Sequence, residues 1–124
     1  MVPNPSTALT KALREKITQT VWLWVFEIHE AFAGQVLANL EAMNSDKFCQ
    51  ERVGVSSKAG EIPMDKINLW GGSVSLGHPF GATGIRLISH AVNRLHKEDG
   101  TKALVTACAA NAQGVAMVVE RYPQ

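Results

Sequence analysis

The stretch Gly71-Gly72-Ser73-Val74-Ser75-Leu76-Gly77-His78-Pro79-Phe80-Gly81-Ala82-Thr83-Gly84 constrains the fold of this chain more than any other. The apolar residues 67–70 before it read as a short strand. Ile85, Ile88, Val92 and Leu95 after it read as one buried face of a helix over about 79–97. A strand feeding a helix through a glycine-rich turn is a unit of α/β folds, which place their chemistry at the carboxyl ends of strands. Pro79 suits the first helical position, where a missing N–H costs nothing. His78 then sits at the helix mouth, near unpaired N–H groups and the positive end of the helix. Gly77, Gly81 and Gly84 let backbone or ligand approach closely.

The remaining elements fit the same class. Leu9, Leu13 and Ile17 are spaced by four and predict a helix over about 8–17, with Ser6 or Thr7 as its cap. Residues 21–26 are apolar on both faces, as in a strand covered above and below, and Glu27 and Ile28 complete it. Phe32, Val36, Leu40 and Met43 mark the buried face of a helix over about 31–43. Residues 44–66 are polar and broken by Gly54, Gly60 and Pro63. They predict a long loop with one helical turn near 47–50. Residues 102–108 and 115–121 read as strands joined by the small-residue loop 109–114, a length that suits an antiparallel hairpin. The predicted order is α-β-α-β-α-β-β, an α/β fold in one domain.

Composition excludes several function classes. A net charge of +1 gives no electrostatic case for nucleic acid or for an anionic membrane. No apolar run approaches the roughly 20 residues of a membrane span. Two cysteines, Cys49 and Cys108, make no disulfide framework and point weakly to a reducing compartment. Two cysteines and four histidines without paired-ligand spacing argue against zinc. Neither a P-loop nor a Gly-x-Ser-x-Gly elbow is present. The start, Met1-Val2-Pro3-Asn4-Pro5, has neither signal-peptide nor transit-peptide character, so the chain is cytosolic or its targeting segment is absent.

Three residues fall at or just beyond strand ends: His29, His78 and Cys108. Taken singly, each has a structural explanation: a capping or solvated histidine, or a cysteine packed as a small hydrophobe. Together they are the parts for proton transfer and thiolate chemistry, because a neighbouring imidazole or helix N-terminus favours the thiolate. Ala109, Ala110 and Ala112 leave room for a substrate and expose backbone N–H donors, as an oxyanion hole needs. Cys49 lies in the irregular segment with no recognisable partner; His90 and His96 fall on the long helix, where His96 near its end suits the dipole. Trp22, Trp24 and Trp70 read as core or interface residues.

At these residues the chain resembles the carboxyl-terminal domain of the thiolase family. The motifs that carry the resemblance are His29-Glu30-Ala31-Phe32, Gly77-His78-Pro79 with the following Phe-Gly-Ala-Thr-Gly, and the Cys108 loop through Gly114. Their order and spacing match as well. His29, where most thiolases have Asn, resembles the 3-ketoacyl-CoA thiolases of the mitochondrial trifunctional type, as do Trp70-Gly71-Gly72-Ser73 and Val119-Glu120-Arg121-Tyr122-Pro123. The resemblance covers residues 24–124; residues 1–23 are the divergent part of the same partial domain. It implies a layered mixed sheet with helices that lacks its first, central strand, whose neighbours would then expose an edge and apolar faces.

The resemblance also implies chemistry. Thiolases cleave a 3-ketoacyl-CoA with CoA to give acetyl-CoA and a shortened acyl-CoA, a step of fatty acid β-oxidation. His78 would activate the acyl-carrying thiol and help bind the thioester oxygen. Cys108 would move the proton of the acetyl-CoA carbanion, and His29 would serve the first oxyanion hole. Ala110, Gly114 and Phe32 would serve oxyanion and substrate binding. No metal or cofactor is implied beyond CoA as substrate. A homodimer, a trifunctional-type α subunit and a mitochondrial location are implied; membrane association is left open.

Two departures stand out. The family's nucleophilic Cys belongs to an amino-terminal domain, and no residue here replaces it, so the isolated chain is expected to be inactive. The Gly-Gly that follows Cys-Ala-Ala in the family is Asn111-Ala112 here, a strained choice if those positions need positive φ. A non-enzymatic remnant kept as an assembly or interaction module is the alternative. A nucleotide-binding α/β domain is disfavoured, since no acidic ribose-binding residue follows a Gly-x-Gly-x-x-Gly motif.

Overall fold

A computed structural model describes residues 23–111 and 113–122 of the chain. The helix expected over 8–17, the first residues of the strand expected from 21, and Ala112 lie outside the described residues. Three strands form one mixed sheet in the order β1-β2-β3: β1 Val25–Ile28, β2 Lys102–Ala109 and β3 Gln113–Glu120. β1 runs parallel to β2, with Val25 opposite Ala103 and Ile28 opposite Thr106. β2 and β3 form the expected antiparallel hairpin, with Lys102 opposite Glu120 and Cys108 opposite Gly114.

Helices cover both faces, which is why β1 is buried along its whole length. On one face, Phe26, Ile28 and Leu104 pack with Val36 and Met43 of helix α1, Ala33–Met43, and with Ile62. On the other, Val25, Ala103 and Val105 pack with Leu87, Ala91 and Leu95 of the long helix Thr83–Lys97. Between them the chain forms a short helix α2, Asp46–Phe48, one π turn over Cys49–Val53, and a 3₁₀ turn over Met64–Lys66. The segment expected as a loop with one helical turn therefore holds more structure. Cys49 is buried there, its Sγ 3.7 Å from the carbonyls of Ala42 and Met43.

Several expectations are corrected. Residues 67–70 form no strand; Ile67 makes a single parallel bridge to Phe26. Asn68 leaves the extended region at φ 48°, and its side chain takes over the ladder. Its Oδ1 accepts from Ile28 N–H at 2.8 Å and its Nδ2 donates to Ile28 O at 2.8 Å. Residues read as a bare turn contain a one-turn helix α3, Ser73–Leu76. The long helix, α4, begins at Thr83 and not at Pro79. Gly81, at φ 81°, bars a right-handed helix from passing through it. Pro79–Ala82 is thus a turn ahead of the helix, and His78 stands one turn outside its mouth.

The buried face of α4 is also not the expected one. Leu95 is buried, but Ile85, Ile88 and Val92 are exposed, while Thr83, Leu87, Ala91 and Arg94 face the sheet. This face packs Leu87, Ala91 and Leu95 on the sheet and brings Arg94 to within 2.7 Å of Glu27 of β1, itself fully buried. Phe32, expected on the buried face of α1, is 75% exposed just ahead of that helix. β1 and β2 bond to each other directly, and among the described residues β3 is paired on one side only, with Val115 and Met117 exposed.

Candidate active site

β1 ends in His29, whose N–H donates to Thr106 O at 2.9 Å and so extends the parallel ladder by one rung. That rung sets the imidazole beside Cys108, two residues further along β2. His29 Nδ1 lies 3.7 Å from Cys108 Sγ. The turn ahead of α4 brings the third side chain: the rings of His29 and His78 are 4.3 Å apart between centroids and tilted by 40°. All three residues line one cleft of about 710 Å³ at the carboxyl end of β1 and β2. Ala110 and Phe32 line it too, Phe32 at its exposed rim. Phe80, 90% exposed, stacks 5.1 Å from His78.

Gly114 is not part of this cleft. It lies across from Cys108 on β3 and lines a second hollow of about 190 Å³, which shares Cys108 and Ala109 with the cleft. Asn111 takes the left-handed conformation at φ 63°, which asparagine tolerates better than other side chains do. Among the described residues no group of three His, Cys, Asp or Glu is arranged to hold a metal ion.

The electrostatics differ from the thiolate expectation. Burial pushes the Cys108 thiol above its ordinary pKa, only partly opposed by a backbone hydrogen bond. Cys108 is therefore held as the protonated thiol at neutral pH, able to donate a proton. Burial pushes the His29 imidazole down, and the neighbouring His78 adds to the shift. His29 is thus the neutral imidazole, and its buried Nε2 has no hydrogen-bond partner among the described residues.

A supporting frame that the sequence did not reveal holds these groups. Glu30 Oε1 accepts from Asn68 Nδ2 at 2.6 Å, and its Oε2 accepts from Val74 N–H at 3.0 Å. The carboxylate so ties the end of β1 to the start of α3. From α4, Arg86 donates to Gly77 O and to Ser73 Oγ, each at 2.9 Å, and pins the turn that carries His78. Thr83 Oγ1 lies 2.6 Å from His78 Nδ1. Glu30 and Thr83 carried a sequence signal, their places in the His-Glu-Ala-Phe and Gly-His-Pro-Phe-Gly-Ala-Thr-Gly motifs; Asn68 and Arg86 carried none.

Gly72 has no room for a side chain, since a Cβ there would collide with the Glu30 carboxylate. Gly72→Ala is expected to cost about 1–3 kcal/mol, the range for overpacking a tight site. Urea unfolding at pH 7 checks this; a midpoint equal to that of the parent chain would mean that Glu30 moves aside freely.

Comparison with known proteins agrees with this geometry. The family model described as thiolase, C-terminal domain, matches residues 1–121. A probable 3-ketoacyl-CoA thiolase of Caenorhabditis elegans is 63% identical over 98 residues, covering 79% of this chain and 22% of that protein. The mitochondrial trifunctional enzyme subunit beta of Mus musculus is 53% identical over 121 residues, 98% of this chain and 26% of that one. Among solved structures, an acetyl-CoA acetyltransferase from Syntrophomonas wolfei superposes with a TM-score of 0.75 at 29% identity. That match covers 95% of this chain and 27% of the bacterial one. The chain spans about a quarter of the length of the curated relatives it matches. A three-strand mixed sheet between helices, a two-histidine, one-cysteine cleft at its carboxyl end, and a family match along nearly its whole length together make the chain a member of the thiolase C-terminal domain family.

Proposed function

We propose that this domain supplies the proton-transfer groups of a 3-ketoacyl-CoA thiolase site, with the acyl-carrying cysteine provided by a segment outside this chain. In this reading Cys108 gives a proton to the acetyl-CoA carbanion and takes it back in the reverse condensation. His78 serves the acyl-carrying thiol and the thioester oxygen. His29 and the backbone N–H near Ala110 serve oxyanion binding. The observation that carries the reading is the meeting of His29, His78 and Cys108 in one cleft. A neutral His29 and a protonated Cys108 support it, because a donor thiol and uncharged polar groups suit a developing enolate. The names of the relatives, a mitochondrial trifunctional enzyme subunit beta among them, support extending the proposal to mitochondria and to an α-type partner subunit; fatty acid β-oxidation and a second copy of the β-type chain rest on the family resemblance alone.

The test exchanges the matched quarter of the mouse subunit beta for residues 1–121 of this chain and measures thiolysis of a 3-ketoacyl-CoA. The chimaera is expected to release acetyl-CoA, and Cys108→Ser or His78→Ala to lower kcat on the order of a hundredfold or more. The 124-residue chain alone is expected to release none. Turnover by the chain alone that Cys108→Ser abolishes would overturn the division of labour. A chimaera that assembles but stays inactive would favour an interaction module, a reading to which the exposed Phe80 and Ile85 lend support.

A further inference from the structure

The short contact between Thr83 and His78 can run in either direction, and hydrogen-bond accounting favours one of them. Thr83 Oγ1 is buried at the start of α4, 2.6 Å from His78 Nδ1 and 3.3 Å from Pro79 O. A threonine hydroxyl has one hydrogen to give. Pro79 O already accepts two N–H groups, from Ala82 at 3.1 Å and from Thr83 itself at 3.2 Å, so a third bond from the hydroxyl at 3.3 Å is the weaker use of its hydrogen. The distance to that carbonyl is also long for an O–H donor, whereas 2.6 Å is a strong one. The hydrogen therefore goes to the imidazole.

We infer that Thr83 is a positioning residue: its hydroxyl donates to His78 Nδ1 and fixes the neutral ring as the Nε2–H tautomer. The consequence for the cleft is specific. A neutral imidazole has one donor and one acceptor nitrogen. With its lone pair at Nδ1 engaged by Thr83, resting His78 offers the cleft an N–H and no lone pair. It then waits as a donor for a developing oxyanion, not as a base. It becomes a base at Nε2 only if Nδ1 gains the hydrogen and donates it back to Thr83 Oγ1, with the hydroxyl hydrogen turning to Pro79 O. Serine could play both parts; valine, of nearly the same shape, could play neither.

This inference rests on the proposed role of the cleft for its meaning but not for its test. The 124-residue chain, labelled with ¹⁵N in its histidines, is examined by long-range ¹H–¹⁵N NMR at pH 8.5, above the ordinary imidazole range. His78 is expected to show one neutral form, protonated at Nε2. Its Nδ1 resonance should be displaced from that of the exposed His96, as hydrogen-bond acceptance requires. Thr83→Val should return the His78 shifts to the His96-like mixture of tautomers, and Thr83→Ser should restore the single form. A His78 protonated at Nδ1 in the parent chain would overturn the inference. So would Nδ1 and Nε2 shifts unchanged in a Thr83→Val chain with a native amide spectrum. Should Thr83→Val fail to fold, the parent spectrum decides alone, through the protonated nitrogen and the displacement at Nδ1. In the mouse chimaera, Thr83→Val is expected to lower kcat tenfold to a hundredfold with little change in KM, the cost of a misoriented group. An inactive chimaera would sink the thiolase reading and leave the tautomer result standing.

Discussion

Arg94→Met is expected to destabilise the fold by about 3–5 kcal/mol at pH 7, the cost of stranding a buried charge. Glu27 and Arg94 are both fully buried between β1 and α4, joined at 2.7 Å. Arg94 is further held by Glu98, at 2.8 Å from its Nε, and donates to Lys66 O at 3.2 Å. Burial disfavours the charged guanidinium, but Glu98 and Glu27 outweigh it, and its pKa is raised. The pair is less favourable for Glu27. Burial raises its pKa despite Arg94, and its Oε2 has no hydrogen-bond partner among the described residues, with His90 Nδ1 3.7 Å away. Methionine fills most of the arginine's volume and leaves the carboxylate alone.

The pH dependence has a definite sign. The folded state holds the Glu27 proton more tightly than the unfolded chain does, so stability falls as pH rises from the unfolded carboxylate pKa through the folded one. Removing Arg94 raises the folded value further. The deficit of Arg94→Met should therefore be small near pH 4.5 and grow towards pH 7. The double variant Glu27→Met with Arg94→Met should recover most of the loss, since no charge is then buried. Urea unfolding of the three proteins at both pH values measures this. A deficit independent of pH would mean that Arg94 acts by packing and not by charge.

Asn68→Ala is expected to cost about 2–5 kcal/mol, by two separate routes. The side chain is the hydrogen-bond partner of both Ile28 N–H and Ile28 O, and it steadies Glu30. Alanine leaves that buried N–H unpaired, at about 1–3 kcal/mol, and weakens the carbonyl's bonding as well. It must also adopt φ 48°, which asparagine tolerates better than alanine, a difference of up to about 1–2 kcal/mol. Asn68→Gly removes the second cost only, so it should be the milder change by about 1 kcal/mol. Asn68→Asp keeps the acceptor for Ile28 N–H but turns a carboxylate towards Ile28 O and Glu30, so it should resemble alanine. Thermal or urea unfolding ranks the three. Equal stability of the alanine and glycine variants would remove the backbone part of the argument.

The parts of this fold legible in the sequence are those where local pattern and burial agree. The apolar run ending at Ile28, the hairpin of β2 and β3, and the existence of α1 and α4 follow from hydrophobic period and turn chemistry. The grouping of His29, His78 and Cys108 came from the resemblance together with their positions at strand ends, and the cleft brings them together. Errors fell where one side chain decided the backbone across the fold. Asn68 looked like part of a strand because its neighbours are apolar, yet its amide replaces the ladder there. Ile85, Ile88 and Val92 are the most apolar stripe of α4, yet the helix turns Leu87, Ala91 and Arg94 to the sheet, and Arg94 reaches Glu27.

By itself, the sequence determined the class of fold, the order of most elements and the identity of the three cleft side chains, because these depend on short-range periodicity and on residue chemistry. Tertiary structure alone decided which face of α4 is buried, where that helix begins, and the charge state of the cleft. Gly81 ends the turn by a backbone angle that no periodicity reports. The Cys108 thiol and the His29 imidazole stay uncharged because residues distant in sequence exclude water from them, and desolvation is a property of the packed chain.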